Sequence, residues 1–123
     1  MKLRNYLYKV IYVKDTPEGV TYSISLRGEC PIYAAHFPAM PITPGVCILQ
    51  MVEELLADYT HKNLRTAVVK NAKFLSMLKP TDDVFIVKLF SIKQEGEKIK
   101  VQSTVMDSSG TTYAKVSLIC NVV

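Results

Sequence analysis

The run His36-Phe37-Pro38-Ala39-Met40-Pro41-Ile42-Thr43-Pro44-Gly45-Val46 concentrates the residue types that could do chemistry in this chain. Its prolines, spaced by three, cannot continue a helix or occupy a central strand, so the stretch reads as a stiff, extended connector. The connector ends on a helix start. Thr43 is placed to cap that helix, and Pro44 suits its first position, where a backbone N–H would be unpaired anyway. The N–H groups of Gly45, Val46 and Cys47 are then expected to lack partners within the helix, at its positive end. Gly45, having no side chain, lets a ligand oxygen approach them. An imidazole beside such amides can take a proton α to a carbonyl while the amides hold the enolate oxygen.

The elements that must position these groups are legible around them. From Gly45 to Tyr59 the pattern predicts one helix of about 25 Å at 1.5 Å per residue. Ile48, Leu49, Met51, Val52, Leu55, Leu56 and Tyr59 fill one arc. Val46, Cys47, Gln50, Glu53, Glu54, Ala57, Asp58 and His61 fill the other. Strands are expected at Tyr6–Val13, Val20–Leu26, Ala67–Phe74, Val84–Ile92, Ile99–Met106 and Thr111–Cys120. Turn signals divide them at Asp15–Gly19, Lys79–Asp83, Glu95–Glu97 and Asp107–Gly110. One helix among about six strands gives an α+β class, a curved antiparallel sheet packed around the helix.

Composition narrows the function. The 123 residues, 49% hydrophobic and 21% charged with only 5 Gly and 6 Pro, suit a single domain over residues 1–123 with a packed core. No apolar run approaches 18 residues, so membrane insertion is not expected, and the N-terminus reads as mature protein rather than a signal peptide. Cys30, Cys47 and Cys120 form no C-x-x-C pair, which favours a reducing cytoplasm over a disulfide framework. His36 and His61 stand 25 residues apart without a ligand pattern, so neither a metal nor another cofactor is expected. His61, at the end of the helix, suits a capping role. The net charge of +4 is spread too evenly for a nucleic-acid binder. Only Lys62, Arg65, Lys70, Lys73 and Lys79 fall in a stretch with no acidic residue, a candidate patch for an acidic protein or phosphate partner.

The segment from His36 to Val46 resembles the signature of the 3-hydroxyacyl-acyl carrier protein dehydratases of fatty-acid synthesis, H-F-P-x-x-P-x-x-P-G-V followed by a helix. A second, weaker likeness runs through Lys73-Phe74 and Leu78-Lys79-Pro80-Thr81-Asp82, with Thr81 where that family usually has Gly. The resemblance implies a hot-dog fold, a long central helix wrapped by the sheet, and dehydration of a 3-hydroxyacyl thioester to its trans-2-enoyl product. It implies His36 as the catalytic base and the Gly45 N–H as the donor to the thioester carbonyl. Phe37, Pro38, Pro44, Val46 and Phe74 would line the acyl site, and the basic patch would meet the acidic acyl carrier protein. A homodimer, or a higher homo-oligomer, is implied because the family shares each site between subunits.

One position departs from that pattern. Where the family has a catalytic Glu or Asp on the helix, this chain has Gln50, which can hold a water molecule but cannot deliver a proton. Glu54 lies one turn on, on the same face, and could have exchanged roles with it; Glu53 is a weaker candidate. The departure keeps two alternatives open: an acyl-binding subunit that forms a hetero-oligomer with an active relative, and a thioesterase on the same fold.

Overall fold

The computed structural model describes residues 2–36 and 39–123. In chain order the elements are β1 (Tyr8–Thr16), β2 (Gly19–Leu26), α1 (Pro31–Ala35), α2 (Gly45–Thr60), β3 (Leu64–Phe74), β4 (Phe85–Glu95), β5 (Lys98–Asp107) and β6 (Thr112–Val122). The strands form one six-stranded sheet in the order β1-β2-β4-β5-β6-β3, with every neighbouring pair antiparallel.

Alternation builds the inner face of this sheet. Val20, Tyr22, Ile24 and Leu26 of β2 are buried, as are Ile99, Val101 and Val105 of β5 and Ala114, Val116, Leu118 and Cys120 of β6. Ile48, Met51, Val52, Leu55 and Leu56 of α2 are buried with them, so the apolar arc of the helix closes the core. Register shifts at Val10/Tyr12, at Phe90/Lys93 and at two points in β3 interrupt the ladders. Such bulges bend their strands, which is how a sheet curves about a helix. At Gly19 a Cβ would lie 2.1 Å from the Leu89 carbonyl oxygen, so the β2–β4 contact at this point admits only glycine.

The strand expectations hold in number and order, with shifted ends. β1 starts at Tyr8 rather than Tyr6, because Asn5 turns the chain at φ 66° and donates its N–H to the Tyr8 carbonyl at 2.7 Å. It runs on to Thr16, which pairs with Gly19, so the expected Asp15–Gly19 turn contracts to the two residues Pro17 and Glu18. The sequence reading did not anticipate α1.

Candidate active site

Helix α1 carries the chain to His36. Pro31 opens it and Cys30 is its N-cap. Tyr33, its buried residue, places its hydroxyl 2.8 Å from the Thr43 hydroxyl, also buried. Burial pushes the Tyr33 phenol up to about 12, so its hydroxyl stays protonated and neutral at ordinary pH. The Thr43 N–H donates to the Leu78 carbonyl at 2.8 Å. Both ends of the connector are thus fixed. His36 is the C-cap of α1, its backbone extended (φ −118°, ψ 118°), its N–H on the Ile32 carbonyl and its side chain exposed. Phe37 and Pro38, expected to line the acyl site, lie outside the described residues.

The start of α2 corrects two details of the sequence reading. Pro44 is the N-cap (φ −61°, ψ 145°), and Gly45 takes the first helical position. Thr43 makes no cap, because its hydroxyl is engaged with Tyr33. The Cys47 N–H is also not spare, since it donates to the Pro44 carbonyl at 3.0 Å. The Gly45 and Val46 N–H groups are left without an acceptor among the described residues. Phe74, at the end of β3, stands over Gly45: a Cβ there would meet its ring at 2.9 Å. The ring is half exposed, as is most of Val46, so apolar surface borders the free amides. Burial pushes the Cys47 thiol up, which makes it a packing residue rather than a nucleophile.

Further along α2 the polar residues are engaged. The Glu54 carboxylate accepts from the Leu3 N–H (2.7 Å), the Arg4 N–H (2.9 Å), the Tyr8 hydroxyl (2.9 Å) and Gln50 Nε2 (3.0 Å). Asp58 accepts from the Tyr22 hydroxyl at 2.6 Å and pairs with Arg4 at 2.9 Å. The Tyr22 bond and the Arg4 guanidinium hold its carboxyl below the usual range, against partial burial. Burial, and then the Glu54 charge, raise the Tyr8 phenol far above its ordinary value. Glu53 accepts from the Thr66 hydroxyl at 2.8 Å and from its N–H, tying α2 to β3. A groove of about 440 Å³ runs over this face, with Arg4, Gln50, Glu54, Asp58, His61 and Lys62 among its lining residues. His61 does cap the helix, but through its backbone: it adopts φ 55° and its N–H reaches the Ala57 carbonyl.

The basic candidates are all exposed, but strung along the molecule. Arg65 and Lys73 sit eight residues apart on β3, about 26 Å along an extended strand. Lys62 lies at the groove, and Lys79 beyond the strand. Lys73 instead faces Lys115 across the β3–β6 ladder, and Lys115 pairs with Thr104, itself opposite Lys88.

Sequence reasoning missed the parts that come from far away in the chain. Leu3, Arg4 and Tyr8 meet Glu54 across about 50 positions, and no local pattern marks such a pairing. Tyr33 could have been found, since Pro31 is a helix-start signal.

Comparison with known proteins agrees with this architecture. The model of the ApeI-like family, described as ApeI dehydratase, matches residues 12–116. A 3-hydroxyacyl-[acyl-carrier-protein] dehydratase FabZ of Rickettsia africae is 30% identical over 99 residues, covering 74% of this chain and 68% of that protein. Among solved structures, the dehydratase heterocomplex ApeI:P from Xenorhabdus doucetiae superposes with a TM-score of 0.77 at 14% identity, covering 92% of this chain and 96% of that one. A hypothetical thioesterase with coenzyme A from Streptococcus pneumoniae superposes with a TM-score of 0.68 at 13% identity, over 94% and 85% of the two chains. At such identities the structural likeness is one of fold, the hot-dog fold expected above.

Proposed function

The chain belongs to the ApeI-like dehydratase family, and from that premise we propose that it dehydrates 3-hydroxyacyl thioesters borne on an acyl carrier protein to their trans-2-enoyl products. Two observations support the reading: an exposed imidazole at the end of α1, and amides at the start of α2, nine positions on in the sequence, that have no acceptor among the described residues. His36 takes the α-proton. The Gly45 N–H holds the thioester oxygen as negative charge develops on it. Gln50 holds the departing 3-hydroxyl. Glu54 stands behind it, its four lone-pair positions already occupied by intramolecular donors. An amide cannot protonate hydroxide, so the imidazolium that has just received the α-proton is the acid this chain supplies. Pro44, Val46 and Phe74, with Phe37 and Pro38, line the acyl site.

Two chains are proposed to pair through β3. It is an edge of the sheet, and Val68, Val69 and Phe74 are exposed along it. Unpaired edge groups beside apolar side chains favour pairing with a second strand. The acidic carrier protein is proposed to meet the basic residues near this edge, Lys62, Arg65, Lys70, Lys73 and Lys79, and salt should raise KM for carrier-borne substrate more than for a short thioester analogue.

The test is turnover of a 3-hydroxyacyl thioester by the purified protein, followed by the ultraviolet absorbance of the enoyl product. Formation by wild type and loss in His36→Ala support the reading; equal rates in the two overturn it. Gln50 and the fold shared with a heterocomplex member favour a second reading, an acyl-binding subunit that lends His36 to a partner. That version predicts activity only after mixing with a carboxylate-bearing relative.

A further inference from the structure

We propose that the outer face of the sheet docks on an anionic lipid bilayer and holds the protein at a membrane surface, an inference independent of the dehydratase reading. Partners in an antiparallel ladder share a face. The register therefore lines up one row across all six strands: Lys14, Thr21, Lys88, Thr104, Lys115 and Lys73. At about 4.8 Å between strands the row is about 24 Å wide. Val87, Leu89, Ala114 and Val116, the chain neighbours of Lys88 and Lys115, are buried in the core beneath α2, so the row points outward. Nearby registers add Lys93 opposite Lys100, and Lys98 and Arg65 on either side of Asn121. These cations are exposed, apart from the half-buried Lys100. Glu95, opposite Lys98, is the one acid at these outward positions among the described residues. The ion pairs among the described residues, Arg4–Asp58 and Arg27–Glu29, lie elsewhere, so the protein does not neutralise this face itself.

The kind of cation and its surroundings select the partner. Glu53, Glu54 and Asp58 line the groove on the helix side, so charge is segregated across the sheet and its outer face turns toward an anion. That face carries lysines but for Arg65. Lysine is a point charge on a flexible stem, whereas a partner of fixed shape is met by the planar fork of arginine. Protein interfaces are also depleted in lysine. Anionic headgroups form a smeared layer of charge that makes no geometric demand, and lysine stems can reach it over a curved sheet. At β1 an apolar edge continues the same face. Ile11 is 54% exposed and Tyr12 60%. Tyr12 lies opposite Ser23, two residues before Lys14. Apolar and aromatic side chains beside lysines are what an interfacial surface buries among headgroups. Because α2 packs on the opposite face, docking leaves the helix turned away from the lipid.

The test is co-sedimentation of the full chain with vesicles of equal parts phosphatidylglycerol and phosphatidylcholine, against vesicles of phosphatidylcholine alone. Wild type should bind the mixed vesicles, leave them as salt is raised, and ignore the neutral ones. Lys88→Gln with Lys115→Gln should weaken binding about 25-fold, since each cation near an anionic surface is worth about fivefold. Lys2→Gln with Lys62→Gln removes the same charge from the helix side and should leave binding within about twofold of wild type. Tyr12→Ser should weaken binding several-fold at low and at moderate salt alike, the mark of an apolar contact. If the Lys88 and Lys115 pair fails to fold, Lys93→Gln with Lys100→Gln carries the same comparison. No binding to the mixed vesicles, equal binding to both kinds, or equal losses in the outer-face and helix-side pairs would overturn the proposal. So would capture of an oligonucleotide or of acyl carrier protein that depends on Lys88 and Lys115 while the vesicles go unbound, which would give the face to that partner instead.

Discussion

At the start of α2 the Gly45 and Val46 amides have no acceptor among the described residues, and Val46 is 74% exposed. Two to four turns later, Glu53, Glu54 and Asp58 are each held by donors from β3, β1, β2 or the N-terminal segment. The difference separates binding from support. Unmatched donors beside apolar surface are useful only if a ligand completes them, whereas saturated carboxylates hold other groups still. The site of this protein should therefore be sensitive to changes at the front of the helix in rate, and to changes behind it in geometry and stability.

The largest expected effect removes the proposed base, His36. His36→Ala should lower kcat by about 10²- to 10⁴-fold, the range for a positioned proton acceptor. Because the side chain is exposed, its melting temperature should stay within about 2 °C of wild type. Leu55, fully buried behind the groove face, gives the opposite signature. Leu55→Ala should lose about 2–5 kcal/mol of stability in denaturant titration while the folded fraction keeps near-normal KM.

Gly45→Ala sharpens the contrast at the boundary. The new methyl would press on the Phe74 ring, which is half exposed and free to swing aside. Thiol-ester turnover should fall about tenfold or more, since small misplacements at a reacting centre are costly. Adding Phe74→Leu should recover part of the loss. If Gly45→Ala is as active as wild type, the glycine serves no ligand.

The smallest effects concern pH. Asp58 is held below the carboxylate range by Tyr22 and Arg4. Asp107, despite opposing burial, is held there by the Thr111 N–H, the Tyr113 hydroxyl and the Ser109 N–H. A carboxyl whose folded pKa is depressed contributes stability above its unfolded pKa of about 4, and that stability disappears as pH falls through the folded value. Thermal melts between pH 7 and pH 2 should show that decline, and Asp107→Asn should flatten it while lowering the plateau at neutral pH.

What the sequence disclosed follows from the range of the forces involved. The α2 core face was legible because Ile48, Met51, Val52, Leu55 and Leu56 repeat with the helix period. The strands were legible because β2, β5 and β6 alternate. Helix α1 was not, since five residues are too few to show a period, and only Pro31 marked it. The capping role given to Thr43 failed because a distant hydroxyl, that of Tyr33, bid for the same oxygen. Gln50 and Glu54 were read as neighbours on one face, and they are. The donors that Leu3, Arg4 and Tyr8 give to Glu54 come from about 50 positions away, and arithmetic along a single helix does not reach that far.

Exchange of the α-hydrogen tests the central claim without requiring C–O cleavage to be fast. Incubate a 3-hydroxyacyl thioester with the protein in D₂O and measure label at the α-carbon by mass spectrometry. The account predicts deuterium incorporation by wild type, reduced about 10²-fold or more in His36→Ala. Absence of label with wild type, alone or mixed with a relative, or equal labelling by the variant, would contradict it.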